Sequence, residues 1–201
     1  MNGAPIEFYF DFSSPYGYLA SERIDQIAAE FGRTVDWRPY LLGVVFKATG
    51  MSPLVSQNLR GPYHLRDMQR SARKQGIKFA LPDSFPFNSV YQCRIFYWLK
   101  QKDVDAAKAY AHAVLRAAFT QNRVVPEAED AIALAVELGH DRDAVIAGMK
   151  DPAVKDHLRD ETQQAMHKGV FGSPFFIVDG EPFWGNDRLS EVREWLQTGG
   201  W

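Results

Sequence analysis

Three short stretches of the sequence carry groups that could do chemistry. In the first, Ser13-Ser14-Pro15 follows the apolar run IEFYFDF at residues 6–12. A serine hydroxyl at a helix start faces backbone N–H groups that the helix leaves unbonded, and the positive end of the helix dipole. An anion brought there is stabilised, and a thiolate is such an anion. Serine does not exchange disulfides. Ser14 can instead donate a hydrogen bond to a thiolate supplied by a bound cofactor, lowering that thiol's pKa. The plainer reading is a helix cap, and on this stretch alone the cap is the better one.

The second stretch is Phe171-Gly172-Ser173-Pro174, before the apolar residues FFIV. An X-Pro bond entering a strand is a candidate cis peptide. A cis Pro174 opposite the first helix would leave the backbone N–H and C=O of Ser173 unpaired by the sheet, free to hold an extended peptide by strand addition. A trans proline opening an edge strand is the commoner alternative. The third stretch is Trp184-Gly185-Asn186-Asp187-Arg188. Two polar caps beside a glycine can receive both a carboxylate and an amine, with Asp187 taking the ammonium. Simple capping again competes.

These stretches need elements to hold them. Residues 6–12 read as a buried strand. A helix follows, with Tyr18, Leu19, Ile24, Ile27, Ala28 and Phe31 on its apolar face and Gly32 ending it. Residues 34–40 (TVDWRPY) resume alternation as a second strand, so the start is a right-handed parallel crossover. The middle is helical: residues 65–74, then 88–100 capped by Asn88-Ser89, then 104–119, 127–138, 141–149 and 154–168. Strands return at residues 174–178 and 181–184 across the hairpin signal Asp179-Gly180, and a helix over 187–196 closes the chain.

Composition narrows the classes. Hydrophobic residues make up 46% and charged residues 24% of the 201, a balance that supports a globular core. The net charge of -2 argues against nucleic acid or an anionic membrane as partner. The amino end lacks a basic region and a long apolar run, and no run is long enough to span a bilayer. A soluble, cytoplasmic protein is the expectation. Cys93 is the single cysteine, which excludes an internal disulfide, a CxxC dithiol and a thiolate zinc site. It reads as a packed small hydrophobe. The five histidines (His64, His112, His140, His157 and His167) have no metal-ligand spacing and read as surface residues.

The order β-α-β, helical block, β-β-α and the motifs FYFDFxSPYxYLA, PxxFPxNS (residues 82–89), VFGSPFF and WGNDRL together resemble the 2-hydroxychromene-2-carboxylate isomerases and the related kappa-class glutathione transferases. The resemblance spans nearly the whole chain. It implies an α/β, thioredoxin-like fold of the DsbA and kappa type with a large all-helical insertion. Residues 1–60 and 169–201 would form the thioredoxin-like part and 61–168 the insertion. It implies glutathione as catalytic cofactor, a small aromatic substrate and a homodimer.

By the same resemblance, Ser14 would bond the glutathione sulfur. The Ser173 backbone, before Pro174, would hold the cysteinyl unit. Asn186, Asp187 and Arg188 would form the γ-glutamyl site, and Arg60 would stand near the glycyl carboxylate. Lys47 and Asn88 are the matches for substrate contacts, and Lys47 as a solvated surface lysine reads equally well. Met51 and Phe85 depart from relatives that carry asparagine and tyrosine there. The implied reaction converts 2-hydroxychromene-2-carboxylate to trans-o-hydroxybenzylidenepyruvate through reversible thiolate addition. A kappa-like transferase or peroxidase, and a non-catalytic peptide-binding thioredoxin relative, are the alternatives. Ser14 and Gly17 at the two positions of a would-be CxxC exclude a dithiol oxidoreductase.

Overall fold

The aromatic run of the first strand makes the centre of the molecule. In a computed structural model that describes residues 3–123 and 126–201, β1 (Ile6–Phe10) lies inside a four-stranded sheet of order β2-β1-β3-β4. The first two residues of the amino-terminal stretch read above for a leader lie outside the described residues. Strand β2 (Val35–Pro39) runs parallel to β1, while β3 (Phe175–Val178) runs antiparallel to β1 and to β4 (Glu181–Trp184). Both ends of the chain therefore build one sheet. Asp179 and Gly180 both take positive φ, 53° and 92°, the geometry a two-residue hairpin needs.

Alternation sorts the strand side chains. Phe8 and Phe10 face Trp37 and Phe176, with ring centroids 4.9 to 5.4 Å apart. Tyr9 and Phe175 point to the other face, beside Tyr40, Val45 and Ala165. The first face is covered by α1 (Pro15–Ser21), α2 (Ile24–Glu30) and the carboxy-terminal α10 (Leu189–Thr198), within a core that continues into α5 (Val90–Lys100) and α6 (Val104–Gln121). Helices α7 (Ala128–Glu137), α8 (Arg142–Lys150) and α9 (Pro152–His167) complete the helical block, and α9 reaches back to α3 (Leu42–Thr49).

Three local expectations are corrected, and one helix appears that was not expected. The helix read as continuous to Phe31 breaks at Glu22-Arg23 into α1 and α2. Ser21 Oγ bonds back to the Tyr18 carbonyl, and Glu22 is drawn to Arg116 of α6 at 2.8 Å. The segment after β2 forms α3, which carries no side-chain cap and so gives no start signal in the sequence. Helix α4 (Arg60–Gln75) begins five residues before the polar stretch that announced it, following a short 3-10 turn at Leu54–Ser56. Residues 186–188 form a second 3-10 turn before α10.

Candidate active site

The turn from β1 into α1 is built around Asp11. Its carboxylate accepts the Ser13 N–H at 2.7 Å and the Ser89 hydroxyl at 2.9 Å on Oδ1, and the Leu42 N–H at 2.9 Å on Oδ2. Its own N–H donates to Ser173 Oγ at 3.0 Å. One buried residue thus ties together the starts of α1, α3 and α5 and the loop before β3. Burial pushes the Asp11 carboxyl above the usual carboxylate range, against the lowering effect of those three donors.

Ser14 caps α1: its Oγ accepts the Gly17 N–H at 3.0 Å. The same hydroxyl donates its one proton to the Ser173 carbonyl at 2.9 Å. The Ser173-Pro174 peptide is cis, as is Phe85-Pro86. The sequence reading left the Ser173 carbonyl unpaired. The sheet does leave it, but Ser14 takes it. Gly17 packs so closely here that a Cβ would lie 2.9 Å from Ser173 Oγ and 3.1 Å from Ser14 Cβ. A side chain at position 17 would press on Ser173 Oγ, which accepts the Asp11 N–H, and on Ser14, so glycine lets this corner pack as it does.

Above this corner opens a cavity of about 350 Å³, a size suited to a small molecule. Asp11, Ser13, Ser14, Gly172 and Ser173 form its polar end. Phe46 of α3, Met51, Leu54 and Val55, the Phe85-Pro86-Phe87 loop, Phe171 and Trp184 make the walls. Trp184 packs against Gly172, where a Cβ would sit 2.1 Å from its indole nitrogen. Among the described residues, Arg60 is the one lysine or arginine in the lining, and no acid pairs with it.

At the rim, Tyr16 donates its hydroxyl to Asp67 at 2.7 Å and lies 3.3 Å from His64 Nδ1. Burial, then the bond to Asp67, raises the Tyr16 phenol well above its ordinary range, with the Asp187 charge adding to the effect. His64 is lowered by burial and by Arg60. His64 was read as a surface histidine, and its spacing to Tyr16 carried no signal of this contact.

The other expected site residues are placed as follows. Asn186 is buried beside α1, and its Oδ1 has no hydrogen-bond partner. Asp187 is exposed but near enough for Tyr16 to feel its charge. Arg188 turns to Glu191 and lines a separate shallow depression with Trp195 and Trp201. Lys47 is exposed on α3 and outside the cavity lining. Asn88 is exposed and caps Val90 N–H at 3.0 Å, while its neighbour Ser89 turns inward to Asp11. Asp11 and Ser89 were missed by the sequence reading. Cys93 is fully buried, beneath Ser89 and Asp11.

Among the described residues no His, Cys, Asp and Glu cluster could hold a metal, and no helix is long and apolar enough to cross a membrane.

A cis-proline loop facing a capped helix start, on this mixed four-stranded sheet, defines a thioredoxin-type site without its cysteines. Residues 5–197 match the DSBA-like thioredoxin domain family. A 2-hydroxychromene-2-carboxylate isomerase of Pseudomonas putida is 32% identical over 187 residues, covering 92% of this chain and 90% of that protein. The chain therefore belongs to the DsbA-like thioredoxin family and, within it, to the 2-hydroxychromene-2-carboxylate isomerases. A solved 2-hydroxychromene-2-carboxylate isomerase superposes with a TM-score of 0.84 at 30% identity, over 96% of this chain and 94% of that one. Glutathione S-transferase kappa 1 of Caenorhabditis elegans is more distant, 23% identical over 96% of this chain and 90% of its own length.

Proposed function

We propose that this chain is a glutathione-dependent isomerase converting 2-hydroxychromene-2-carboxylate to trans-o-hydroxybenzylidenepyruvate. The observation that carries the reading is the meeting of the Ser14 hydroxyl and the Ser173 carbonyl at the polar end of an apolar, aromatic-walled cavity. The residues present fit glutathione. Asn186 offers a buried acceptor without a partner, Asp187 a carboxylate, and Arg60 an unpaired cation.

When bound, glutathione supplies a thiolate whose reversible addition turns the conjugated double bond into a single bond. The chain's own residues do the rest. Ser173 accepts a ligand N–H at its carbonyl, which releases the Ser14 proton to be donated to sulfur. Asn186 and Asp187 hold the γ-glutamyl end, and Pro174 shapes the loop that presents Ser173. Arg60 receives a carboxylate by charge-assisted hydrogen bonds. Phe46, Phe85 and Phe87 hold the aromatic ring and exclude water, which strengthens each polar contact at the corner.

The test is the ultraviolet spectrum of 2-hydroxychromene-2-carboxylate with the protein, with and without glutathione. Conversion that requires glutathione is expected, and no glutathione-dependent change contradicts the reading. The kappa relative supports a second reading, a transferase using the same corner. Faster turnover of an aryl halide than of the chromene acid would favour it.

A further inference from the structure

Forming a thiolate at Ser14 leaves a proton to be placed, and neither serine of the corner can take it. We propose that Asp11 is the internal acceptor of the glutathione thiol proton and holds it while the thiolate works. This rests on the glutathione reading above.

Asp11 lines the same cavity as Ser14, and it is 6% exposed. A carboxylate offers about four lone-pair directions. Three are filled: Ser13 and Ser89 on Oδ1, and Leu42 on Oδ2. One lone pair of Oδ2 is left. No lysine, arginine or histidine pairs with Asp11 among the described residues, so no neighbouring cation holds it in the charged form. The other titratable side chains that feel its charge are Tyr40 and Cys93. The Tyr40 proton is committed to the Gly172 carbonyl at 2.7 Å, and the Cys93 thiol is fully buried beside Ser89. Neither is placed to receive a proton from the cavity. Burial raises the Asp11 carboxyl, as a base working near neutrality requires.

The step balances without a co-reactant. The S–H bond of glutathione breaks with its electron pair left on sulfur, and the proton forms an O–H bond at Asp11 Oδ2. Sulfur becomes the anion as the carboxylate becomes neutral, so no net charge enters the cavity. The proton returns to sulfur when glutathione leaves.

Two measurements on glutathione binding at neutral pH test this. Thiolate ultraviolet absorbance counts thiolate formed, and a dye in weak buffer counts protons released. The wild-type protein should form thiolate and release almost no proton. Infrared difference spectra should show a protonated carboxyl band gained with glutathione and not with S-methylglutathione, which has no thiol proton. In Asp11→Asn the band should be lost, and any thiolate formed should release a full proton. Wild-type protein releasing one proton per thiolate, or showing no carboxyl band, overturns the proposal and leaves the glutathione site standing. Absence of thiolate altogether overturns both. The wild-type arms stand even if Asp11→Asn does not fold.

Discussion

The two ends of the cavity are built by different means. The polar corner is made of buried and half-buried groups fixed by hydrogen bonds to and from the backbone of three separate segments, with the Ser89 hydroxyl added from a fourth, meeting at Asp11, Ser14 and Ser173. The opposite wall is made of half-buried and exposed side chains, including Phe46, Met51 and Arg60, on elements with few capping bonds. The corner leaves almost no freedom: a methyl group at Gly17 already collides with Ser173. Phe46, Met51 and Arg60 of the wall make no side-chain hydrogen bond or ion pair among the described residues. A fixed corner suits a cofactor and one chemistry, while a variable wall suits adjustment to a particular aromatic acid.

Substitutions can break this contrast. Gly17→Val should push Ser173 from Ser14 and lower kcat/KM about 100-fold, since small misplacements of reacting groups are costly. Steady-state kinetics with circular dichroism as a folding control would check it. At the wall, Arg60→Ala should raise a KM about 10-fold with little change in kcat, the loss of one charge-assisted contact. Lys47→Ala, exposed and outside the lining, should stay within about 2-fold. Equal effects at the two cations would erase the distinction drawn between them.

A smaller effect belongs to the helix break that sets the length of α1. Burial alone would raise the Glu22 carboxyl, but His112, 3.4 Å away, and the hydrogen bonds from Arg116 bring it down to about 2 from its ordinary 4.5. A carboxyl lowered in the folded state adds stability above its unfolded pKa and loses it as pH falls towards the folded one. Glu22→Gln should therefore cost about 1–2 kcal/mol at neutral pH. The difference should shrink between about 4.5 and about 2. Urea unfolding across that range would measure it.

Local features were legible in the sequence, and long-range ones were not. Ser14 as a cap, the Asp179-Gly180 hairpin and the Ser173-Pro174 loop each declare themselves within a few residues, because their chemistry is a turn or a cap. The break at Glu22 leaves no Gly or Pro to mark it, since the pull comes from Arg116, 94 positions away. Asp11 reads as one more polar residue at a strand end, and Ser89 as half of an Asn-Ser cap. Their bond joins positions 78 apart, and no periodicity encodes it. Gly17 was legible as a missing cysteine, but its packing against Ser173 needed the fold.

The proposed role of Ser14 is that of a donor that keeps a borrowed thiolate ionised. Its most direct test is the pH profile of kcat/KM for Ser14→Ala beside the wild type, with glutathione saturating. Loss of one such donor should lower the rate about 100-fold at neutral pH. The variant should recover as pH rises toward the free thiol value of about 8.5, where ionisation no longer needs the donor. Profiles that coincide at neutral pH would contradict the claim.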